Sequence, residues 1–124
     1  MLKQFDSAAI VAVSDMDRSR DFYGRVLGLN EISGDDSVAA FSTGKTMLVV
    51  YKSDFAGTNK ANAVVWGVGA KIADIVGDLA GKGVAFEHYP EMGMAYADGI
   101  HSSGDFKAAW FKDPDGNILH LNNM

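Results

Sequence analysis

The stretch that decides the fold is residues 109–119, which read AWFKDPDGNIL. Apolar residues on both sides of it predict two β-strands, 106–112 and 118–122, joined by the turn at residues 113–116. Pro114 has the φ angle needed at the second turn position, and Gly116 can adopt the left-handed conformation that ends the turn. The sequence therefore predicts an antiparallel hairpin near the end of the chain.

The rest of the chain repeats one order of elements twice, strand, helix and three further strands. Residues 8–13 align with residues 63–68, 39–41 with 108–110, and 48–50 with 119–121. A repeated supersecondary unit predicts two βαβββ modules, residues 1–55 and 60–124, within a single domain of residues 1–124. The predicted strands are 8–13, 29–33, 38–42, 46–52, 63–68, 84–89, 106–112 and 118–122, the helices begin near Asp15 and Ile72, and residues 90–105 are predicted to form a long loop.

Composition excludes several classes of function. The chain has 124 residues, with 11 Lys or Arg against 16 Asp or Glu, so its net charge is −5. This acidic balance offers no basic surface for nucleic acid, and no apolar run is long enough to cross a membrane. Cysteine is absent, which excludes thiolate and Cys-based metal chemistry, while 48% hydrophobic residues suffice for one core. We expect a cytoplasmic protein without nucleic-acid or membrane partners.

Two segments carry a family resemblance. Residues 13–23, VSDMDRSRDFY, followed by VLGL at 26–29, and the hairpin segment 109–119 together resemble the two signatures of the glyoxalase, bleomycin-resistance and extradiol-dioxygenase superfamily, also named the vicinal oxygen chelate superfamily. The resemblance implies an α+β fold in which two βαβββ modules form a curled mixed sheet around a cup that holds the ligand. It also implies a homodimer and, in the enzymes of the family, a divalent metal in the cup.

Most of the metal-ligand positions that the resemblance implies carry side chains that cannot bind a metal. They fall on Ala8, Val49, Ala63 and His120, so one imidazole remains where a catalytic zinc site uses about three protein ligands. We therefore expect no metal and no other cofactor. The alternative is a metal held by unaligned side chains such as His101 or Glu87.

Candidate site residues follow from the predicted strands and loop. Small residues at Ala8 and Ala63 either leave room for a ligand or let the sheet pack closely. Strand register decides whether Trp110, or instead Ala109 and Phe111, shares a face with His120. The 90–105 loop combines Met, Tyr and His with glycines, as a lid over a ligand would. The predicted ligand-binding residues are His120, His101, Trp110, Phe111, Tyr96 and Met92.

These features favour a metal-independent protein that binds a small molecule and sequesters a drug or metabolite. The acidic charge favours a cationic or neutral guest. One alternative is a lyase or isomerase that uses His120 as its proton-transfer group or lone metal ligand. Another is an interaction module whose cup is filled by its own side chains, among them Trp110 and Phe111.

Overall fold

The computed structural model describes all of residues 1–124, which form two compact units. The first contains Met1–Asn59 and Pro114–Asn117, and the second contains Lys60–Asp113 and Ile118–Met124. Each unit has one mixed sheet and one α-helix, so the predicted α+β fold with two modules is confirmed. No helix has the length and apolar character needed to cross a membrane.

The first unit has a four-stranded sheet in the order β1-β4-β3-β2. Strand β1 runs parallel to β4, and the other neighbours are antiparallel. The helix α1 begins after Asp15, whose carboxylate caps it by accepting the backbone N–H of Arg18 at 3.0 Å. The elements are β1 Ala9–Val13, α1 Met16–Arg20 with a π-helical continuation Asp21–Val26, β2 Asn30–Gly34, β3 Val38–Thr43 and β4 Thr46–Lys52.

Side-chain alternation gives this sheet one buried and one open face. Leu48 and Val50 are fully buried, and they share their face with the buried Phe41 and with the helix residue Tyr23, whose ring lies 6.2 Å from that of Phe41. Ile10, on the other face, is 66% exposed. Because opposite faces of a strand alternate residue by residue, the apolar core of the unit lies between the sheet and α1.

The second unit repeats this topology with one strand more, in the order β5-β9-β8-β7-β6. Strand β5 is parallel to β9, and the remaining pairs are antiparallel. The helix α2 packs against β8. The elements are β5 Asn62–Gly67, α2 Ile72–Gly81, β6 Ala95–Ala97, β7 Ile100–Ser103, β8 Phe106–Lys112 and β9 Ile118–Asn122.

The segment between α2 and β8 differs from the prediction. The strand predicted at 84–89 is reduced to a single bridge between Phe86 and Phe111. The loop predicted at 90–105 instead contains a short 3-10 turn, Pro90–Met92, and the hairpin of β6 and β7. Asp98 and Gly99 form the tip of this hairpin with φ angles of 52° and 84°. Two consecutive positive φ angles match the twist of an antiparallel hairpin, so this pair of residues closes it.

Strand pairing also corrects the alignment of the two modules. Trp110 lies opposite His120 on β9, as Ala40 lies opposite Val49 on β4. The equivalent of Trp110 is therefore Ala40, and residues 39–41 align with 109–111 rather than with 108–110. The one-residue error arose because this strand is apolar at every position from 108 to 111, which gives no alternation to fix its register.

Candidate functional site

The register of the second sheet places six side chains on one of its faces. Trp110 on β8 lies opposite His120 on β9, which in turn lies beside Val65 on β5. His101 on β7 pairs with Ala108 of β8 and with Tyr96 of β6. Since directly paired residues point to the same side of a sheet, and Ala108 is two residues from Trp110, all of these side chains share one face.

Aromatic and imidazole rings form a continuous cluster on this face. His120 stacks on Trp110 with ring centroids 4.6 Å apart. The ring of His101 also contacts Trp110, edge-on and with centroids 5.1 Å apart. Tyr96 lies 4.8 Å from His101, again edge-on. We call the six rings that form this arrangement the ring cluster: His88, Tyr89, Tyr96, His101, Trp110 and His120.

His120 lies at one end of the ring cluster, and both of its ring nitrogens are occupied. Nδ1 donates to the backbone carbonyl of Ala109 at 3.2 Å, and Nε2 accepts from the amide of Asn122 at 3.3 Å. These partners define a neutral ring with its proton on Nδ1. Burial lowers the pKa of His120, and the bond to Ala109 only partly opposes that shift. The imidazole is therefore an uncharged, fixed wall of the site at neutral pH.

His101 lies at the centre of the ring cluster and is fully buried. Its Nε2 accepts the backbone N–H of Tyr89 at 2.9 Å, so the proton of the neutral ring is on Nδ1. Nδ1 has no partner in hydrogen-bond geometry, although the backbone of the facing Ala108 interacts weakly with the ring. Burial lowers the pKa of His101, and the neighbouring His88 adds to the shift.

The structure brings four of the six predicted ligand-binding residues together: His120, His101, Trp110 and Tyr96. Phe111 lies instead on the opposite face, where its ring packs 5.5 Å from that of Phe86. The cause is the register, which places the even-numbered residues of β8 beside His120. Met92 lies in the Pro90–Met92 turn and is 47% exposed, outside the ring cluster.

Three further residues of the site are not among those predicted from the sequence: His88, Tyr89 and Asn122. A signal for the first was present, because the chain has three histidines and all of them fall in the second module. His88 stacks on Tyr96 with centroids 3.9 Å apart, and Tyr89 lies edge-on to Trp110 at 5.5 Å. These contacts arise because the predicted strand at 84–89 is reduced to one bridge at Phe86, which leaves residues 88 and 89 outside the strands.

The first sheet has no counterpart of the ring cluster. The positions equivalent to Trp110, His120 and Val65 are Ala40, Val49 and Ile10. The first unit has a different concavity, a polar cavity of about 360 Å³ lined by Asp15, Arg20 and other charged side chains at the start of α1. Arg20 is already bonded to Glu31 there, at 3.0 Å. The ring cluster is therefore confined to the second unit.

Comparisons with known proteins agree with this architecture. The family model described as Glyoxalase/Bleomycin resistance protein/Dioxygenase superfamily matches residues 4–121. A glyoxalase family protein from Enterococcus faecalis has a similar structure, with a TM-score of 0.75, 17% identity and coverage of 98% of this chain and 99% of that chain. No curated protein matches.

Two further solved structures are similar at lower identity. The lactoylglutathione lyase from Agrobacterium tumefaciens has a TM-score of 0.73 and 15% identity, covering 95% of this chain and 92% of that chain. The fosfomycin resistance protein FosX from Mesorhizobium loti has a TM-score of 0.72 and 11% identity, covering 100% of this chain and 94% of that chain. At such identities these likenesses show the shared fold.

The metal implied by the family resemblance does not fit the residues of this chain. Three of the four implied positions carry Ala8, Val49 and Ala63, which have no donor atoms. The fourth, His120, has both nitrogens bonded to protein groups, and Nε2 of His101 is bonded to Tyr89. No three His, Cys, Asp or Glu side chains are grouped as metal ligands would be. The function proposed below therefore does not involve a metal.

Proposed function

The chain belongs to the glyoxalase/bleomycin resistance protein/dioxygenase superfamily, and from this premise we propose that it binds a planar small molecule without a metal, through the ring cluster of its second unit. The observation that carries the proposal is the continuous row of rings from Tyr96 through His101 and Trp110 to His120. A row of flat polarisable rings along one side of a sheet is suited to stacking on an aromatic guest.

The charge of the chain and the state of the imidazoles define the guest further. The net charge is −5, and His101 and His120 have lowered pKa values that leave them uncharged at neutral pH. The site then offers no cation to an anionic guest, while aromatic faces attract a cationic one. We therefore expect a cationic or neutral aromatic drug or metabolite, held by stacking and sequestered rather than converted.

The same geometry makes proton transfer by His120 the less favoured function. A general base needs a free lone pair within reach of the substrate proton. The lone pair of His120 Nε2 already accepts from Asn122, and Nδ1–H is held by the carbonyl of Ala109. A lyase or isomerase mechanism would first have to break one of these two bonds.

Calorimetric titration with two matched dyes tests the proposal. N-methylacridinium, a planar cation, should bind, and acridine-9-carboxylate, a planar anion of similar size, should bind more weakly. Trp110→Leu should lower the affinity for the cation by up to about tenfold, the value of one aromatic stacking contact. Trp66→Leu is the control, because Trp66 pairs with Leu121 on the opposite face of the same sheet.

Two outcomes would contradict the proposal. Equal affinity of the Trp110→Leu variant and the native chain would place the dye elsewhere on the protein. No binding of either dye would favour the third interpretation, an interaction module whose open face is filled by its own rings.

A further inference from the structure

One hydrogen bond holds the segment that covers Trp110. Tyr89 places its ring edge-on to Trp110, with centroids 5.5 Å apart, and its backbone N–H donates to Nε2 of His101 at 2.9 Å. Trp110 is only 7% exposed. The other rings beside Trp110, those of His101 and His120, belong to strands of the sheet, whereas Tyr89 belongs to a segment outside the strands.

Few other polar contacts attach this part of the chain to the sheet. Upstream, the backbone N–H of Glu87 donates to the carbonyl of Trp110 at 2.8 Å, and its carboxylate pairs with Lys112 at 3.6 Å, so the segment is fixed before it reaches Tyr89. Downstream, the bonds of the Pro90–Met92 turn are internal, from Met92 to the carbonyl of Tyr89 and from Gly93 to that of Pro90. The bond to His101 is thus the polar contact by which the covering residue is held.

A second proton on His101 is incompatible with that bond. The neutral ring accepts through Nε2, and protonation there would place an N–H group against the N–H of Tyr89. The titratable groups that face the ring give little compensation. Tyr96 from β6 and Tyr89 from the covering segment are neutral phenols, His88 is a further imidazole that disfavours a charge, and Glu91 alone acts in the opposite direction.

We propose that His101 is a proton-controlled latch on the ring cluster: the neutral imidazole holds Tyr89 against Trp110, and protonation of that imidazole releases Tyr89 and uncovers Trp110. This inference rests on the proposed function for the identity of the site it controls. The latch itself is a property of the unliganded chain. The lowered pKa of His101 is consistent with it, since the closed form disfavours the charged ring.

Quenching of Trp110 fluorescence by acrylamide tests the latch without any ligand. The background is Trp66→Phe, which leaves Trp110 as the only tryptophan. The ratio of open to closed latch should rise by up to about tenfold for each pH unit below the ordinary histidine pKa of about 6.5. Acrylamide quenching of Trp110 should therefore increase as the pH falls from 8 to 5.

Two glutamine variants assign that change to one imidazole. In His101→Gln the side-chain carbonyl can still accept from Tyr89 and does not titrate, so quenching should stay low at every pH. His120→Gln should keep the increase, since His120 does not bond the covering segment. An increase that persists in His101→Gln, or one that is lost in His120→Gln, would overturn the proposal.

The native chain supplies a second readout in case a variant does not fold. By NMR, the backbone amide proton of Tyr89 should shift and exchange faster with solvent in parallel with protonation of the His101 ring. A Tyr89 amide that is unchanged while His101 titrates would overturn the latch. Titration of N-methylacridinium at both ends of the pH range separates the two proposals, because a working latch with no dye binding contradicts only the proposed function.

Discussion

Asp115 shows how a single carboxylate in the 113–116 turn supports the first unit. It accepts the backbone N–H of Ser14 at 3.1 Å, the hydroxyl of Ser14, and one N–H of Arg18 at 3.3 Å. Its side chain is only 5% exposed, whereas that of Arg18 is 49% exposed. The bonds from Ser14 therefore contribute most, because an exposed ion pair is worth little in water.

Replacing that carboxylate should destabilise the fold. Asp115→Ala removes the charged acceptor of the two hydrogen bonds that Ser14 donates. Because hydrogen bonds to charged groups are stronger than neutral ones, the free energy of unfolding should fall by roughly 2 kcal/mol. Urea unfolding followed by circular dichroism measures the change. The matched control is Asp54→Ala, at an exposed position, which should alter the free energy of unfolding by less than about 0.5 kcal/mol. Equal effects of the two variants would contradict the assigned role of Asp115.

Among the strands, β4 gives the clearest test of face alternation. Leu48 is fully buried against the helix-covered face, while its neighbour Met47 is 38% exposed on the other face. Leu48→Ala should cost about 3 kcal/mol of unfolding free energy, since it leaves a cavity in a packed core. Met47→Ala should cost less than about 1 kcal/mol. Thermal or urea unfolding of both variants checks this, and a larger loss for Met47→Ala would mean that the faces are assigned the wrong way round.

At the scale of strands and helices, the residues of each turn determined which hairpins could be predicted from the sequence. The hairpin around residues 113–116 was predicted because Pro114 and Gly116 have fixed conformational roles. The β6 and β7 hairpin was missed, although Asp98 and Gly99 form a dipeptide typical of two-residue hairpin turns, because the flanking strands are short. The segment at 84–89 was predicted as a strand because of its apolar residues, but it forms only one bridge, between Phe86 and Phe111.

The ring cluster was predictable in its residue types and not in its arrangement. His120 lies at a position that the family resemblance implies, Trp110 on the neighbouring predicted strand, and His101 and Tyr96 in the segment predicted as a loop over the ligand. Which of Trp110 and Phe111 faces His120 depends on a one-residue register that an all-apolar strand leaves open. The covering position of Tyr89 depends on a backbone contact with His101, for which sequence has no pattern.

For the molecule as a whole, the response of stability to pH follows from its buried histidines. Burial lowers the pKa of both His101 and His120 below the ordinary value of 6.5. The unfolded chain then binds more protons than the folded chain once the pH falls below about 6.5, so stability decreases from there down to the lowered pKa values. The carboxyl groups of Asp21 and Asp35 also have lowered pKa values, but they titrate below 3.8, outside this window.

Urea unfolding at a series of pH values should therefore show full stability above about pH 6.5 and a loss below it, with each of the two histidines contributing a slope of at most about 1.4 kcal/mol per pH unit. His101→Gln and His120→Gln should each reduce the slope, and the double variant should be nearly flat between pH 6.5 and 5. Slopes rather than absolute stabilities are compared, because each substitution also changes packing. A double variant with the full slope of the native chain would mean that other groups control its acid sensitivity.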